Sequence, residues 1–437
     1  VRLWSIAAYL LLPYAIAGLI WRGLRYPAYW KRWPERFGFV APVEAGRVVW
    51  VHAVSVGEVR SAAPLVRAVA DRLPRHKVLV TTMTPTGSEQ VQRLFGDRVL
   101  HRYLPYDTPD AVARFLDRVR PELAIIAETE FWPNLFHACV RRRIPLHIVN
   151  ARMSLSSFRA YLFAGRMVRS MFASADLICA QTSLDAQRLR NLGVDDRLLT
   201  VTGNLKFDVD APATACVEAR QLRHQWGASR PVLIAASTHH GEEAQILAVF
   251  ARLRRRYPEL LLVLVPRHPE RFGAVARLCR RRGFETANRS TLTGNLPESV
   301  SVIVGDTMGE LHTLYAASDI AVIGGSFVRR GGQNPLEACM VGVPVLFGPH
   351  MFHFEEISAL TLERGAGRQV PGAVALTDAV SLYLDQPALR RAAGTAGQAL
   401  IRENRGSLES TLAAMSRQLA TTRAAVADRP DAADSPV

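Results

Sequence analysis

Glu58, in Ser55-Val-Gly-Glu58, follows an apolar run at 48–53 and opens a stretch with helical spacing to Leu73. The dipole of a helix keeps a first-turn glutamate ionised, and an ionised carboxylate on a loop beyond a strand can act as a general base. The same residue can equally do no more than cap its helix. Glu128-Thr-Glu-Phe-Trp-Pro-Asn134 sets two carboxylates directly after Leu123-Ala-Ile-Ile-Ala127. Such a pair can hold hydroxyls or stabilise charge in a transition state, while Glu130 can also serve a helix N-terminus. Lys206, in Thr202-Gly-Asn-Leu-Lys-Phe-Asp208, ends the last strand of the first half. An ammonium there neutralises an anionic substrate or leaving phosphate, unless it is a plain surface lysine.

A second set lies in the C-terminal half. Ile320–Ile323 is a short apolar run, followed by the pairs Gly324-Gly325 and Gly331-Gly332 and then Asn334-Pro-Leu-Glu337. Asn suits an N-cap, Pro the first helical position, and Glu three residues on closes a capping box. A glycine loop feeding a helix start is a ready anion site, because unpaired amides and the dipole point at it. Arg329 and Arg330 lie in the same loop. The phosphate of a nucleotide is expected here, with Glu337 either taking the ribose hydroxyls or only capping. Arg267 follows the run 260–265 and suits a phosphate bidentately. Backbone groups at Met308 and Gly309 are placed to read a base edge. Asp208-Val-Asp210 is too weakly spaced for a metal-bound nucleotide, and no metal or cofactor is expected.

The elements that must position these residues alternate between strand and helix. Strands are predicted at 48–53, 77–82, 123–127, 144–149 and 176–180, and again at 232–236, 260–265, 302–304 and 320–323. Runs apolar on both faces, separated by helical spacing, predict parallel sheets covered on both sides. Ligands then sit beyond the strand C-termini, where all the residues above fall. Neither half has GxGxxG after its first strand, which disfavours a dinucleotide-dependent dehydrogenase.

With 437 residues and 49% hydrophobics the chain can fill two or three domains. Lys and Arg number 54 against 39 Asp and Glu, an excess of 54 − 39 = 15 that favours anionic partners. No zinc-finger spacing, RNP motif or aromatic-laced basic block is present, so nucleic acid is not expected. Five scattered cysteines without CxxC point to reduced thiols. Leu3 to Trp21 carries no charge and, as a helix, reaches roughly 28 Å, about one bilayer core. Pro13 leaves open a kinked span or an interfacial helix. Arg22, Arg25, Lys31, Arg32 and Arg36 follow, a flank that places the body of the protein in the cytoplasm.

Eight motifs together resemble one family: Tyr29-Trp-Lys-Arg-Trp33, Val54-Ser-Val-Gly-Glu58, Thr81-Thr-Met-Thr-Pro-Thr-Gly87, Glu128-Thr-Glu-Phe-Trp-Pro-Asn134, Gly203-Asn-Leu-Lys-Phe-Asp208, Val265-Pro-Arg-His-Pro-Glu-Arg271, Gly305-Asp-Thr-Met-Gly-Glu310 and Gly331-Gly-Gln-Asn-Pro-Leu-Glu337. They are similar to those of the transferases that attach 3-deoxy-D-manno-octulosonic acid (Kdo) to the lipid A precursor of lipopolysaccharide, from the N-terminus to about residue 410. The resemblance implies an α/β, GT-B glycosyltransferase fold: two Rossmann-like domains facing a cleft, with an N-terminal membrane-anchoring helix. The expected borders are an anchor and basic flank over 1–40, an acceptor-binding domain over 41–210, a donor domain over 211–420 and a disordered tail over 421–437. Glu58 matches the family's general base, and Glu128 and Lys206 match positions for transition-state stabilisation. Pro266, Arg267, Met308, Gly309, Glu310, Asn334, Pro335, Leu336 and Glu337 match positions that hold the CMP part of CMP-Kdo. The implied partners are CMP-Kdo, the lipid A precursor (lipid IVA) and the anionic surface of the inner membrane, with the catalytic domains on the cytoplasmic side. Gln333 departs from the family, which usually shows His. Both side chains can donate a hydrogen bond, but a protonation role at that position is lost. Two alternatives stay open: a GT-B enzyme using a UDP-sugar on a lipid acceptor, and a non-catalytic membrane-tethered nucleotide-binding module.

Overall fold

The computed structural model describes residues 2–43, 46–208 and 214–427. The chain divides into two compact units, residues 1–209 with 405–437, and residues 210–404. In the first unit the strands are β1 (Arg47–His52), β2 (His76–Thr82), β3 (Leu100–Tyr103), β4 (Leu123–Ala127), β5 (Leu146–Ala151), β6 (Leu177–Ala180) and β7 (Leu199–Val201). They form one parallel sheet in the order β3-β2-β1-β4-β5-β6-β7. The order reverses between β1 and β4, the switch point at which doubly wound sheets open a crevice for ligand.

Strand alternation builds two cores, one on each face of this sheet. Trp50 packs with Leu79, Phe115 and Ile126 on one side. Val49 and Val51 pack on the other with Val80 and Ile125, and with Leu412 and Met415 from the last helix. That helix, Ser407–Ala427, therefore belongs to the first unit. The border expected at 420 falls instead at 404, because the second face of the first sheet needs this returning helix for its apolar cover. Asp208 fixes the return by accepting from the amides of Gly406 (2.8 Å) and Leu408 (2.6 Å). Residues 421–427 of the expected tail continue the helix, and 428–437 lie outside the described residues, as does Asp210.

The second unit holds β8 (Val232–Thr238), β9 (Leu261–Pro266), β10 (Thr286–Asn288), β11 (Val302–Val304), β12 (Ile320–Ile323), β13 (Val345–Phe347) and β14 (Gly367–Gln369). Their order is β10-β11-β9-β8-β12-β13-β14, again all parallel. Here the switch point lies between β8 and β12. The unit opens with the helix Ala215–Trp226, whose Trp226 is buried.

The N-terminal helix, Arg2–Arg25, is continuous through Pro13. Its first turns are tied to the first unit: Trp4 Nε1 donates to Asp107 (2.7 Å), Ser5 Oγ to Asn134 (2.7 Å) and Tyr9 OH to Asp110 (2.6 Å). Just past its other end, Tyr26 OH donates to Glu89 (3.0 Å). A helix held at both ends by one body lies alongside it. Consistent with this, Leu19 and Gly23 are buried and Trp4, Leu12 and Ile16 on the same stripe are partly covered, whereas Leu3, Leu10, Tyr14 and Leu24 are exposed. The basic flank is thinner than its sequence suggests. Arg32 pairs with Glu35 at 2.7 Å, and Arg36 is buried, its guanidinium 4.3 Å from the centre of the Tyr103 ring.

Candidate active site

In the first unit the switch point gathers Glu58, Glu128, Glu130 and Lys206. Glu58 stands in the first turn of the helix Val56–Arg72, just after β1. Its carboxylate accepts from the Val54 amide (2.6 Å) and Ser55 Oγ (3.0 Å). The expectation that the helix start keeps it ionised is overturned. Burial, then the charges of Glu128 and Glu130, push its pKa up to about 8. Two hydrogen-bond donors stabilise the anion less than desolvation and two like charges destabilise it. Burial and Glu128 also push Glu130 up to about 7.

Glu128 follows β4 with φ +63°, a left-handed conformation uncommon outside glycine. Its amide donates to the Val149 carbonyl (2.8 Å), so the turn is held by the neighbouring strand. Lys206 does not end a strand as expected. It lies in a separate single turn, Leu205–Phe207, with Nζ 3.8 Å from Glu128 Oε1. Three carboxamides fix this turn. Asn150, itself at φ +55°, accepts from the Leu205 amide (3.0 Å); Gln181 donates to the Asn150 carbonyl (2.9 Å); Asn204 donates to Gln181 (2.9 Å). Sequence reasoning misses all three. Their only signal there is that each lies near the C-terminal end of a strand.

In the second unit the strand ends after β8, β9, β11 and β12 carry the remaining residues. Pro266 ends β9, and the Arg267 amide donates to the Thr238 carbonyl (2.9 Å). Arg267 lies near His239, which follows β8. Burial, then His268, Arg330 and Arg267, push His239 down to about 4. Arg267 and Arg330 make this end of the sheet electropositive, suited to an anion, with the two histidines held neutral beside them. Gln333 reaches into it, its Nε2 3.4 Å from His239 Nε2. The loop after β11 is pinned at Glu310, whose carboxylate accepts from Arg289 (2.9 Å) and Thr307. Asp306 likewise accepts from Ser290 N (2.8 Å) and Oγ (2.6 Å). Between these anchors Met308 and Gly309 stay open, Met308 being 57% exposed.

The glycine loop after β12 differs from expectation. Gly324 is required by close approach, since a Cβ there would lie 2.3 Å from the Ser237 carbonyl oxygen. Yet the loop amides are not free for a phosphate. Glu242, fully buried, accepts from Gly325 (2.7 Å), Phe327 (3.0 Å) and His239 (2.8 Å). An internal carboxylate thus fills the amide nest and fixes the loop. The helix beyond is only five residues, Leu336–Met340, with Asn334 Oδ1 accepting from the Leu336 amide (3.1 Å) and Glu337 in the first turn. Glu242→Ala is expected to leave three amides unpaired, that of Gly325 buried and those of His239 and Phe327 part-buried. At ~1–3 kcal/mol each, and with some relaxation, the loss is about 3 kcal/mol, measured as a lower urea midpoint at unchanged m-value.

Two doubly wound parallel units in one chain, each with polar groups beyond its strand C-termini, have the architecture of the GT-B fold. A UDP-N-acetylglucosamine 2-epimerase from Neisseria meningitidis shares this fold, with TM-score 0.54 and 15% identity over 86% of this chain and all of that one. The family model described as 3-deoxy-D-manno-octulosonic-acid transferase (kdotransferase) matches residues 31–209. A 3-deoxy-D-manno-octulosonic acid transferase of Haemophilus influenzae is 42% identical over 393 residues, 89% of this chain and 92% of the relative. One of Bordetella pertussis is 39% identical over 422 residues, 92% of this chain and 96% of the relative. The chain belongs to the 3-deoxy-D-manno-octulosonic acid transferase family.

Proposed function

We propose that the protein moves Kdo from CMP-Kdo to a hydroxyl of the lipid A precursor (lipid IVA) in lipopolysaccharide core biosynthesis. The observation that carries this reading is the group at the first switch point: Glu58 beside Glu128 and Glu130, with the Lys206 ammonium 3.8 Å from Glu128. An acceptor hydroxyl attacks the anomeric carbon and its proton passes to Glu58. The bond from that carbon to the phosphate oxygen breaks, and CMP leaves with the electron pair. One displacement inverts the centre. A raised pKa makes Glu58 a stronger proton acceptor than an ordinary carboxylate, provided the pH is high enough to ionise it. Lys206 offsets negative charge in the transition state, with Glu128 holding it in place.

The first unit, 41–210 with the returning helix, takes the acceptor, and the second takes the donor. Pro266, Arg267, Met308, Gly309, Glu310 and Asn334 to Glu337 hold the CMP part. The positive end formed by Arg267 and Arg330, with His239 and His268 neutral beside them, supports an anionic donor bearing both a phosphate and a sugar carboxylate. The exposed apolar face of the N-terminal helix supports placement at the inner membrane, with Arg22 and Lys31 keeping the catalytic units on the cytoplasmic side.

The test is incubation of purified protein and lipid IVA with CMP-Kdo, and in parallel with UDP-sugars, followed by mass spectrometry. The expected result is a mass gain of Kdo with the CMP donor alone. No gain with CMP-Kdo, or a gain with a UDP-sugar, would sink the reading.

A further inference from the structure

One surface of the first unit has no part in the reaction above. The helix Leu155–Phe172 is interrupted at Gly165, whose φ of +45° and ψ of −113° fall outside the helical region. Ahead of that break its outer side carries Leu155 (49% exposed), Leu162 (50%) and Phe163 (96%). Beside them stand the exposed arginines Arg159 and Arg166, which make no ion pair among the described residues. Three large apolar side chains within three turns, rimmed by such cations, are what an anionic interface takes up: side chains enter the acyl boundary while guanidinium groups meet phosphates.

This patch is continuous with the N-terminal helix. Trp4 packs edge-on against Phe131, with centroids 5.1 Å apart, and Phe131 lies 5.8 Å from Tyr161 on the same 155–172 helix. Phe131 directly follows Glu130. One row of aromatic rings therefore joins the apolar N-terminal helix, the acidic loop and the Leu155–Phe163 segment within a single unit.

We infer that the segment Leu155–Phe163 is a second membrane-contacting element, inserting Phe163 and Leu162 into an anionic lipid surface while Arg159 and Arg166 bind its phosphates. The inference rests on the reading of a lipid acceptor for its purpose, though not for its geometry. Two contacts flanking the acidic loop would hold that loop at a fixed height over the bilayer, where a lipid-borne hydroxyl is presented. The net charge of +15 complements such a surface.

The full-length protein is tested by co-sedimentation with phosphatidylglycerol–phosphatidylcholine vesicles. Leu162→Ser/Phe163→Ser is expected to bind about tenfold more weakly. Arg159→Glu/Arg166→Glu is expected to lose affinity at low salt, with the difference shrinking in 0.5 M salt at about a 4 Å Debye length. Phe163→Trp is expected to add a fluorescence component quenched by brominated lipid. All four residues are exposed, so the variants should keep the wild-type melting temperature and transfer Kdo to an acyl-free disaccharide as wild type does. Wild-type vesicle affinity in the double serine variant would overturn the inference, as would an added tryptophan signal in Phe163→Trp that brominated lipid leaves unquenched. So would a lipid-free dimer of the wild type that the serine variant dissociates, because the patch would then cover a second copy. Since the vesicle arm needs no turnover, loss of binding in a protein that transfers no Kdo would sink the functional reading and leave this one standing.

Discussion

Glu58→Gln is expected to lower kcat by about 10³, the middle of the ~10²–10⁴ range for a general base, while CMP binding by calorimetry stays unchanged. Gln keeps the volume and an acceptor for the Val54 amide, whose bond to Glu58 is 2.6 Å in the wild type. What it cannot do is accept a proton from the acceptor hydroxyl. The wild-type profile of kcat/KM should rise with unit slope up to about pH 8, where burial and the neighbouring carboxylates place Glu58. The variant should lose that limb. A variant retaining more than a tenth of wild-type turnover would remove Glu58 from the mechanism.

The same substitution should stabilise the protein. The pKa of Glu58 in the folded protein, about 8, lies above its ordinary 4.5, so folding favours the protonated form. Its contribution is full below about pH 4.5 and is lost as pH rises through 8. A neutral Gln escapes that loss. At pH 8 the variant should gain ~1–2 kcal/mol by urea denaturation, discounted from the ~1.36 kcal/mol per pKa unit because the side chain is partly exposed. Lower activity with higher stability separates a catalytic role from a structural one: a residue that only capped its helix would lose stability on substitution.

Lys206→Ala is expected to reduce kcat by about 10², with a pH signature of its own. Removing the ammonium beside Glu128 leaves Glu58, Glu128 and Glu130 with more uncompensated negative charge, so the pKa of Glu58 must rise further. The ascending limb should move above pH 8, and part of the deficit measured at pH 7.5 should be recovered at pH 9.5. Lys206→Arg keeps the charge but changes its position; it is expected to hold the wild-type limb while still losing turnover. An Ala variant with an unshifted limb would mean that Lys206 and Glu58 do not sense one another, and the proposed grouping would fail.

Much of this arrangement is legible in the chain. Runs such as Leu123–Ala127 and Ile320–Ile323 are apolar at every position because both faces are covered, and each stands in the structure where the sequence places it. The edge strands are not legible. Leu100–Tyr103 is half-exposed with two polar residues, and β7, β10 and β14 have only three residues each, too short for any periodicity. The returning helix Ser407–Ala427 is only weakly amphipathic, and nothing local says which sheet it will cover.

What the sequence alone determined is the central parallel strands, the loops at their ends and the chemical types those loops hold. Backbone propensity and burial on both faces act within a few residues and leave their mark in order along the chain. The ionisation of Glu58, the partner of Lys206 and the occupant of the glycine-loop amides were decided only by the tertiary structure. Each depends on groups far apart in sequence, 70 positions for Glu58 and Glu128 (128 − 58) and 78 for Glu128 and Lys206 (206 − 128). Electrostatic shifts and amide pairing follow distance in space, and that distance is set only when the sheet brings the ends of β1 and β4, and of β8 and β12, side by side.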